Sequence, residues 1–227
     1  MKTQLEKEKE IAALAAVEHI QDGQIVGLGT GSSSEYAIRA IGRKVEEGLK
    51  ITGVPTSNRT AQLAESLQIP LADINTIEQI DITIDGADEF TTDLMLIKGG
   101  GGALLREKIV ASLTRQQIII ADSSKLVEKL GQFRLPIEVI PFATNYVLRQ
   151  LEKLGGKAEL RLVDQKPYQT DQSNYILDTD FGLIDHPDQL ADKLNQIEGI
   201  ACHGLFINLA ERVIMGKGDE FLEFKRP

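Results

Sequence analysis

The 227-residue chain has a single cysteine, Cys202, so no internal disulfide can staple it and a reducing compartment suits it. Basic residues are in deficit: 25 Lys and Arg against 34 Asp and Glu leave a net charge of −9. No basic face is offered to a nucleic acid, and any anion site must be built locally. No apolar run approaches the ~20 residues of a membrane helix. The opening MKTQLEKEKE is charged where a signal peptide has its apolar core, so none is expected there and the cytoplasm is the expected address. The histidines, His19, His186 and His203, stand away from the acidic clusters, so no metal-ligand spacing is visible. Internal repeats and low-complexity tracts are also missing. What remains, 42% hydrophobic and 26% charged residues, is the composition of a soluble globular protein with one large domain or two small ones.

The most informative stretch is 80–110. Ile80, Ile82 and Ile84 alternate with polar residues and predict a strand, which stops at Asp85-Gly86-Ala87-Asp88-Glu89. A second apolar run, 94–97, stops at Lys98 and four glycines, Gly99 to Gly102, and a helix pattern fills 103–113. Elsewhere in the first half, strands at 25–28, 51–54 and 117–121 alternate with helices at 5–20, 35–41 and 60–67, and 70–74 reads as one more short strand. That alternation argues a parallel sheet with right-handed crossovers, whose strand ends are where such folds bind ligands. Near Gly131 the texture changes. The segments 135–140, 144–154, 157–163, 175–181, 187–197 and 200–206 spell strand-helix-strand-strand-helix-strand, the ferredoxin-like order, with a polar loop at 164–174. Strands at 213–216 and 221–224 are assigned back to the first sheet. The expected fold is therefore α/β: a Rossmann-like, mostly parallel sheet domain formed by 1–130 plus 206–227, with a smaller ferredoxin-like α+β domain, 131–205, inserted before the C-terminal strands.

Three corners carry chemistry. Gly29-Thr30-Gly31-Ser32-Ser33-Ser34 follows a strand and opens a helix, where free N–H groups and hydroxyls suit a phosphate. A plain Gly/Ser turn is the alternative. The dinucleotide fingerprint fits weakly, because Ser32 stands where its third glycine would fall, and the P-loop lysine is missing. The Asp85–Asp88 corner is a solvated acidic turn, a hard-cation site, or a place for acid–base chemistry. Four glycines after Lys98 cost backbone entropy on ordering, which close approach to a ligand would justify. Glu107 falls beside Ala103, Val110 and Ala111 on a largely apolar helix. Either it pairs with Arg106 or Lys108 or reaches the surface, or it is a buried carboxylate whose proton affinity is raised by desolvation, as a general base requires; the company of the glycines and two aspartates favours the base. Lys125, after a strand, and Lys9, on the first helix among Glu6, Glu8 and Glu10, are each either solvated or available to an anion.

Taken together and in order, GLGTGSSSEYAI, DGADEF, KGGGGALLREKIV, ADSSK and LPIEVIPFA resemble ribose-5-phosphate isomerase of the A type over nearly the whole chain. The resemblance implies interconversion of D-ribose 5-phosphate and D-ribulose 5-phosphate through an enediolate, in the non-oxidative pentose phosphate pathway, without metal or nucleotide cofactor. It implies Glu107 as the base, with Asp85, Asp88 and Lys98 also catalytic. A substrate site is implied at Thr30, Gly31, Ser32, Ser33, Asp85, Gly86, Ala87, Asp88, Lys98, Gly99, Gly100, Gly101 and Lys125, with Lys9 directed to the phosphate. Ser33 stands where the family often has threonine, and the hydroxyl is retained. The Lys98 ammonium and the backbone N–H groups of Lys98 to Gly101 are expected to hold the developing oxyanion. Partners are then a small sugar phosphate and a second copy of the chain, as a homodimer or a dimer of dimers, with no nucleic acid or membrane. Two rivals come from other classes. A non-catalytic sugar-phosphate sensor would need a DNA-binding segment for which the acidic chain has no spare length, and an acyl-CoA transferase would need nucleotide-binding features that are missing.

Overall fold

The computed structural model describes residues 2–226. In chain order its helices and strands are α1 (Gln4–Val17), β1 (Ile25–Leu28), α2 (Ser32–Glu46), β2 (Thr52–Pro55), α3 (Asn58–Ser66), β3 (Ile80–Gly86), β4 (Glu89–Phe90), β5 (Leu96–Ile97), α4 (Leu104–Leu113) and β6 (Thr114–Ala121). There follow β7 (Leu135–Val139), α5 (Thr144–Lys153), β8 (Lys157–Leu160), β9 (Leu162–Val163), β10 (Lys166–Pro167), β11 (Tyr175–Asp180), α6 (Pro187–Asn195), β12 (Ile200–His203), β13 (Leu205–Phe206), β14 (Arg212–Lys217) and β15 (Glu220–Lys225). The chain divides into two compact units: Met1–Ala87, Arg106–Leu126 and Asn208–Pro227 form one, Asp88–Leu105 and Val127–Ile207 the other.

The first unit is built on a six-stranded sheet in the order β15-β14-β6-β3-β1-β2, parallel throughout except for the β14–β15 hairpin. The order reverses between β1 and β3, so the crevice beyond their carboxyl ends is a topological switch point. Val26, Leu28, Ile82, Ile84, Ile118, Ile120 and Ile214 pack with Ala12, Ala13, Ala16, Ile38 and Ile41 of α1 and α2. Alanines let α1 lie close to the sheet: a Cβ on Gly216 of β14 would come within 2.7 Å of Glu8 Cα. A capping box of Thr3 and Glu6 starts α1, worth about 1 kcal/mol. Val110 of α4 packs in a separate cluster with Val54 and Ile80. The helix expected at 5–20 stops at Val17, α2 begins before 35 at Ser32, and β6 begins at Thr114, directly after α4. The segment 70–74 is not a strand; it contributes one isolated parallel bridge, Leu71 to Gly53, because its chain turns into a short 3₁₀ segment capped by Asp73.

The second unit holds a four-stranded antiparallel sheet in the order β12-β7-β11-β8. Counting only its own strands this is 4-1-3-2, compatible with the ferredoxin-like pattern. Its core joins Ile137, Val139 and Leu177 to Val147, Leu151 and Leu194 of α5 and α6. A small sheet, β13-β5-β4, completes the unit. Two differences from expectation follow from it. Residues 88–105, expected in the first domain, belong here because β4 and β5 pair with β13. The strand expected at 200–206 divides at Gly204 into β12 and β13, which join different sheets. The run expected at 94–97 starts late, since Leu94 takes φ +60° and only Leu96–Ile97 is extended. β9, at the end of the strand expected at 157–163, and β10, inside the expected polar loop, form a hairpin whose two turn residues, Asp164 and Gln165, both have positive φ, as a tight primed turn requires.

Candidate active site

In the first unit the site starts at the switch point. β1 runs through Gly29 and Thr30 to Gly31, whose φ of +115° makes the turn into α2. The first amide that closes an α2 bond is that of Glu35, donating to Gly31 O, so the N–H groups of Ser32 and Ser33 face outward from the helix start, a ready anion cradle. Beside it at the end of β3 stands Asp85, 1% exposed. Its Oδ1 accepts from Thr30 N–H (3.1 Å), the Ser34 hydroxyl (3.2 Å) and Gly86 N–H (2.7 Å), which fix the carboxylate in one orientation. Gly29 permits this closeness, for a Cβ there would lie 2.6 Å from Asp85 Cα. Thr30 Oγ1 joins a hydroxyl cluster with Thr56 (2.7 Å), Ser57 (2.9 Å) and Thr60 (3.1 Å), at the end of β2 and the start of α3.

One cation reaches this corner, and a second stands in the turn after β6. Lys9 Nζ donates to Ser32 Oγ (3.1 Å) and lies 3.8 Å from the Asp122 carboxylate. Lys125 ends the Ser123–Lys125 turn that follows β6. That turn is held from α1 by Glu8, whose Oε2 accepts from Ser123 N–H (3.0 Å) and Oγ (2.7 Å) and whose Oε1 accepts from Gly218 N–H (2.9 Å). Burial works against the charge on Glu8, but the bonds from Gly218, Ser123 and Gln4 overcome it and lower its pKa to about 2. Glu107 lies in the first turn of α4 and is 5% exposed, so it does not reach the surface. The neighbouring Arg106 guanidinium donates to Asn58 Oδ1 at 2.8 Å.

In the second unit, Asp88 N–H donates to Ile97 O (2.8 Å) and the Asp88 Oδ2 accepts from Gly100 N–H (2.7 Å). Lys98 is buried, 2% exposed, with its ammonium 5.4 Å from the Phe206 ring centroid. Gly99 takes φ +105° and Gly102 closes the turn by donating to Gly99 O at 3.0 Å. One expectation about this turn is corrected. Lys98 N–H is spent on Gly204 O (2.9 Å) and Gly100 N–H on Asp88, so neither is open to an oxyanion, which narrows the expected backbone donors to Gly99 and Gly101.

Thus the structure brings together Thr30, Ser32, Asp85 and Lys9 in one unit, whose first segment ends with Gly86 and Ala87, and Asp88, Lys98 and Gly99 to Gly101 in the other. Sequence reasoning passed over Arg161. Its Nη1 donates to both Gly99 O and Gly100 O, each at 3.1 Å, while Nε and Nη2 grip Asp178 at 2.8 and 2.5 Å. It also passed over Thr56, Ser57 and Thr60, although a hydroxyl-rich strand end before a helix could have marked them. Among the described residues no helix is long and apolar enough to cross a membrane.

The family model described as Ribose 5-phosphate isomerase A (phosphoriboisomerase A) matches residues 52–220. A ribose-5-phosphate isomerase A of Ruegeria sp. (strain TM1040) is 48% identical over 229 residues, covering 97% of this chain and 87% of that relative. A solved D-ribose-5-phosphate isomerase in complex with phospho-erythronic acid is 39% identical, with a TM-score of 0.96 over 99% of this chain and 100% of its own. The ribose 5-phosphate isomerase A of Methanocaldococcus jannaschii is 40% identical, with a TM-score of 0.91 over 96% and 97%.

Proposed function

This chain belongs to the ribose 5-phosphate isomerase A family, and from that premise we propose how its residues divide the chemistry. The enzyme interconverts D-ribose 5-phosphate and D-ribulose 5-phosphate, an aldose–ketose isomerisation of the non-oxidative pentose phosphate pathway; family membership favours this over the sensor. Moving the carbonyl from C1 to C2 means taking the C2 proton, holding an enediolate, and returning a proton to C1. Glu107 carries that proton. The observation that bears most weight is its burial within the first turn of α4, the helix into which the glycine run leads. A carboxylate shielded from bulk water can take a proton from one carbon and return one to its neighbour.

The Lys98 ammonium and the Gly101 N–H hold the developing oxyanion, and Asp85 and Asp88, each fixed by backbone donors, orient hydroxyls and move protons between O1 and O2. The first turn of α2, Thr30, Ser32, Ser33, Lys9 and Lys125 take the phosphate, a handle remote from the reacting carbons whose binding energy orients the sugar. The ligand named for one relative supports this division: phospho-erythronic acid joins a phosphate to a carboxylate whose two coplanar oxygens share charge as an enediolate's do. The same reading places the enzyme in the cytoplasm as a homodimer or a dimer of dimers, to be checked by light scattering on purified protein.

Glu107→Gln keeps size and removes proton affinity. It should lower kcat by a factor of about 10² to 10⁴ with KM little changed, and exchange of the C2 proton with solvent deuterium should fall in step. A Gln variant that keeps most of its turnover removes Glu107 from the chemistry.

A further inference from the structure

Arg161 sits between β8 and β9, far in sequence from the glycine run, and is committed on every side. Its backbone N–H donates to Ile176 O (2.8 Å), and its carbonyl accepts from Tyr168 N–H (2.9 Å). Its guanidinium is gripped along one edge, through Nε and Nη2, by both oxygens of Asp178 of β11. Nη1 is directed at two consecutive carbonyls, Gly99 O and Gly100 O.

Each of these carbonyls belongs to a peptide plane with an N–H on its opposite side, since no peptide bond here is cis. The Gly99 carbonyl shares its plane with Gly100 N–H, the group that donates to Asp88 Oδ2 at 2.7 Å. The Gly100 carbonyl shares its plane with Gly101 N–H. Pinning both oxygens therefore fixes the directions of both N–H groups. A cation on the oxygen side also polarises each peptide and makes its N–H a better donor, since bonds in a chain strengthen one another. Four glycines in a row have the widest conformational freedom in the chain, and something must hold them.

We propose that Arg161 is a positioning residue of the isomerisation, anchored by Asp178 and acting through the Gly99 and Gly100 peptides to aim the Asp88 carboxylate and the Gly101 N–H at the reacting oxygens. This rests on the assignment of Asp88 and the glycine turn to the substrate. Lysine cannot replace arginine, because an ammonium cannot grip a carboxylate with two parallel bonds and reach two carbonyls at once.

The test uses the full chain. Arg161→Ala and Arg161→Lys should each lower kcat by about 10- to 100-fold, the usual worth of an outer partner of a reacting group, with KM changed by less than about threefold. An open cavity of about 570 Å³ borders Gly100, Arg161 and Asp178, so added guanidinium at millimolar concentration should restore part of the Arg161→Ala turnover and none of the wild type's. Asp178→Asn, which keeps the arginine but weakens its anchor, should lower kcat in the same direction and covers the case in which Arg161→Ala does not fold. Arg134→Met removes another arginine of the same cavity, paired with exposed Glu159, and should leave kcat unchanged. Full kcat in folded Arg161→Ala or Asp178→Asn overturns the proposal, as does a loss that tracks melting temperature and resists guanidinium. Asp88→Asn separates the two levels: if it retains turnover, the underlying site assignment fails. If it is inactive while the Arg161 variants are normal, only the positioning role fails.

Discussion

Replacing Glu8 by Gln tests how the cationic turn beside the candidate phosphate corner is held. The side chain is 4% exposed and accepts from Gly218 N–H, Ser123 N–H and the Ser123 hydroxyl. A glutamine offers one oxygen where there were two, and turns an NH₂ toward groups that are themselves donors. The folded pKa of about 2, against an ordinary 4.5, amounts to about 3 to 4 kcal/mol of stability at neutral pH, at about 1.4 kcal/mol per unit. Water close to the protein surface trims this to roughly 2 to 3 kcal/mol. Because the folded pKa is the lower one, the unfolded chain takes the proton first. The contribution is complete above about pH 4.5 and drains away as pH falls toward 2. Urea unfolding of both proteins should therefore show a gap of about 2 to 3 kcal/mol at pH 7 that shrinks to about half by pH 3. KM should rise in the variant because Lys125 ends the turn that Glu8 holds. A gap independent of pH, or one below about 0.5 kcal/mol at pH 7, would refute the reasoning.

Lys125→Ala should mainly raise KM, because a phosphate contact is made in ground and transition states alike; an unchanged KM with a collapsed kcat would move Lys125 into the chemistry. Activity should survive dialysis against EDTA, since among the described residues no three His, Cys, Asp or Glu side chains gather to hold a metal ion, and restoration of lost turnover by a divalent ion would sink that expectation. Gly29→Ala would drive a methyl to within 2.6 Å of Asp85 Cα, so it should cost about 1 to 3 kcal/mol in a denaturation assay and lower kcat through Asp85; unaltered stability and kcat would show that the corner yields freely.

The parallel core was legible because buried parallel strands read as short, β-branched runs: Ile80, Ile82, Ile84 and Ile118 to Ile120 stand out without any partner being known. The glycine run and the acidic corner were legible for a related reason, since each breaks a local rule that a plain loop keeps. What escaped is what only tertiary partners decide. Arg161, flanked by leucines at the end of a short strand, looks like a solvated face until the Gly99 carbonyl is seen in its grasp. Glu8 reads as one of several acids around Lys9, yet Glu6 is exposed and Glu10 half-buried while Glu8 is buried against Ser123. The 88–105 segment joins the second unit through two-residue strands, β4 and β5, which leave almost no periodic trace in the sequence.

The six-stranded sheet also has a history that its finished form conceals. β6 is paired on one side by β3 and on the other by β14, yet roughly ninety residues of chain, most of them the second unit, are made between the two. At about 5 to 20 residues per second, a ribosome takes about 5 to 18 seconds to cover that distance. Throughout that interval β6 is an edge, with Ile118 to Ile120 and a row of unpaired backbone groups offered to any passing strand. The second unit, encoded in the gap, is free to complete its own sheet first. The nascent first unit must wait for β14 and β15 to emerge and close over β6, so its exposure to misassembly is greatest while the residues between β6 and β14 are being made.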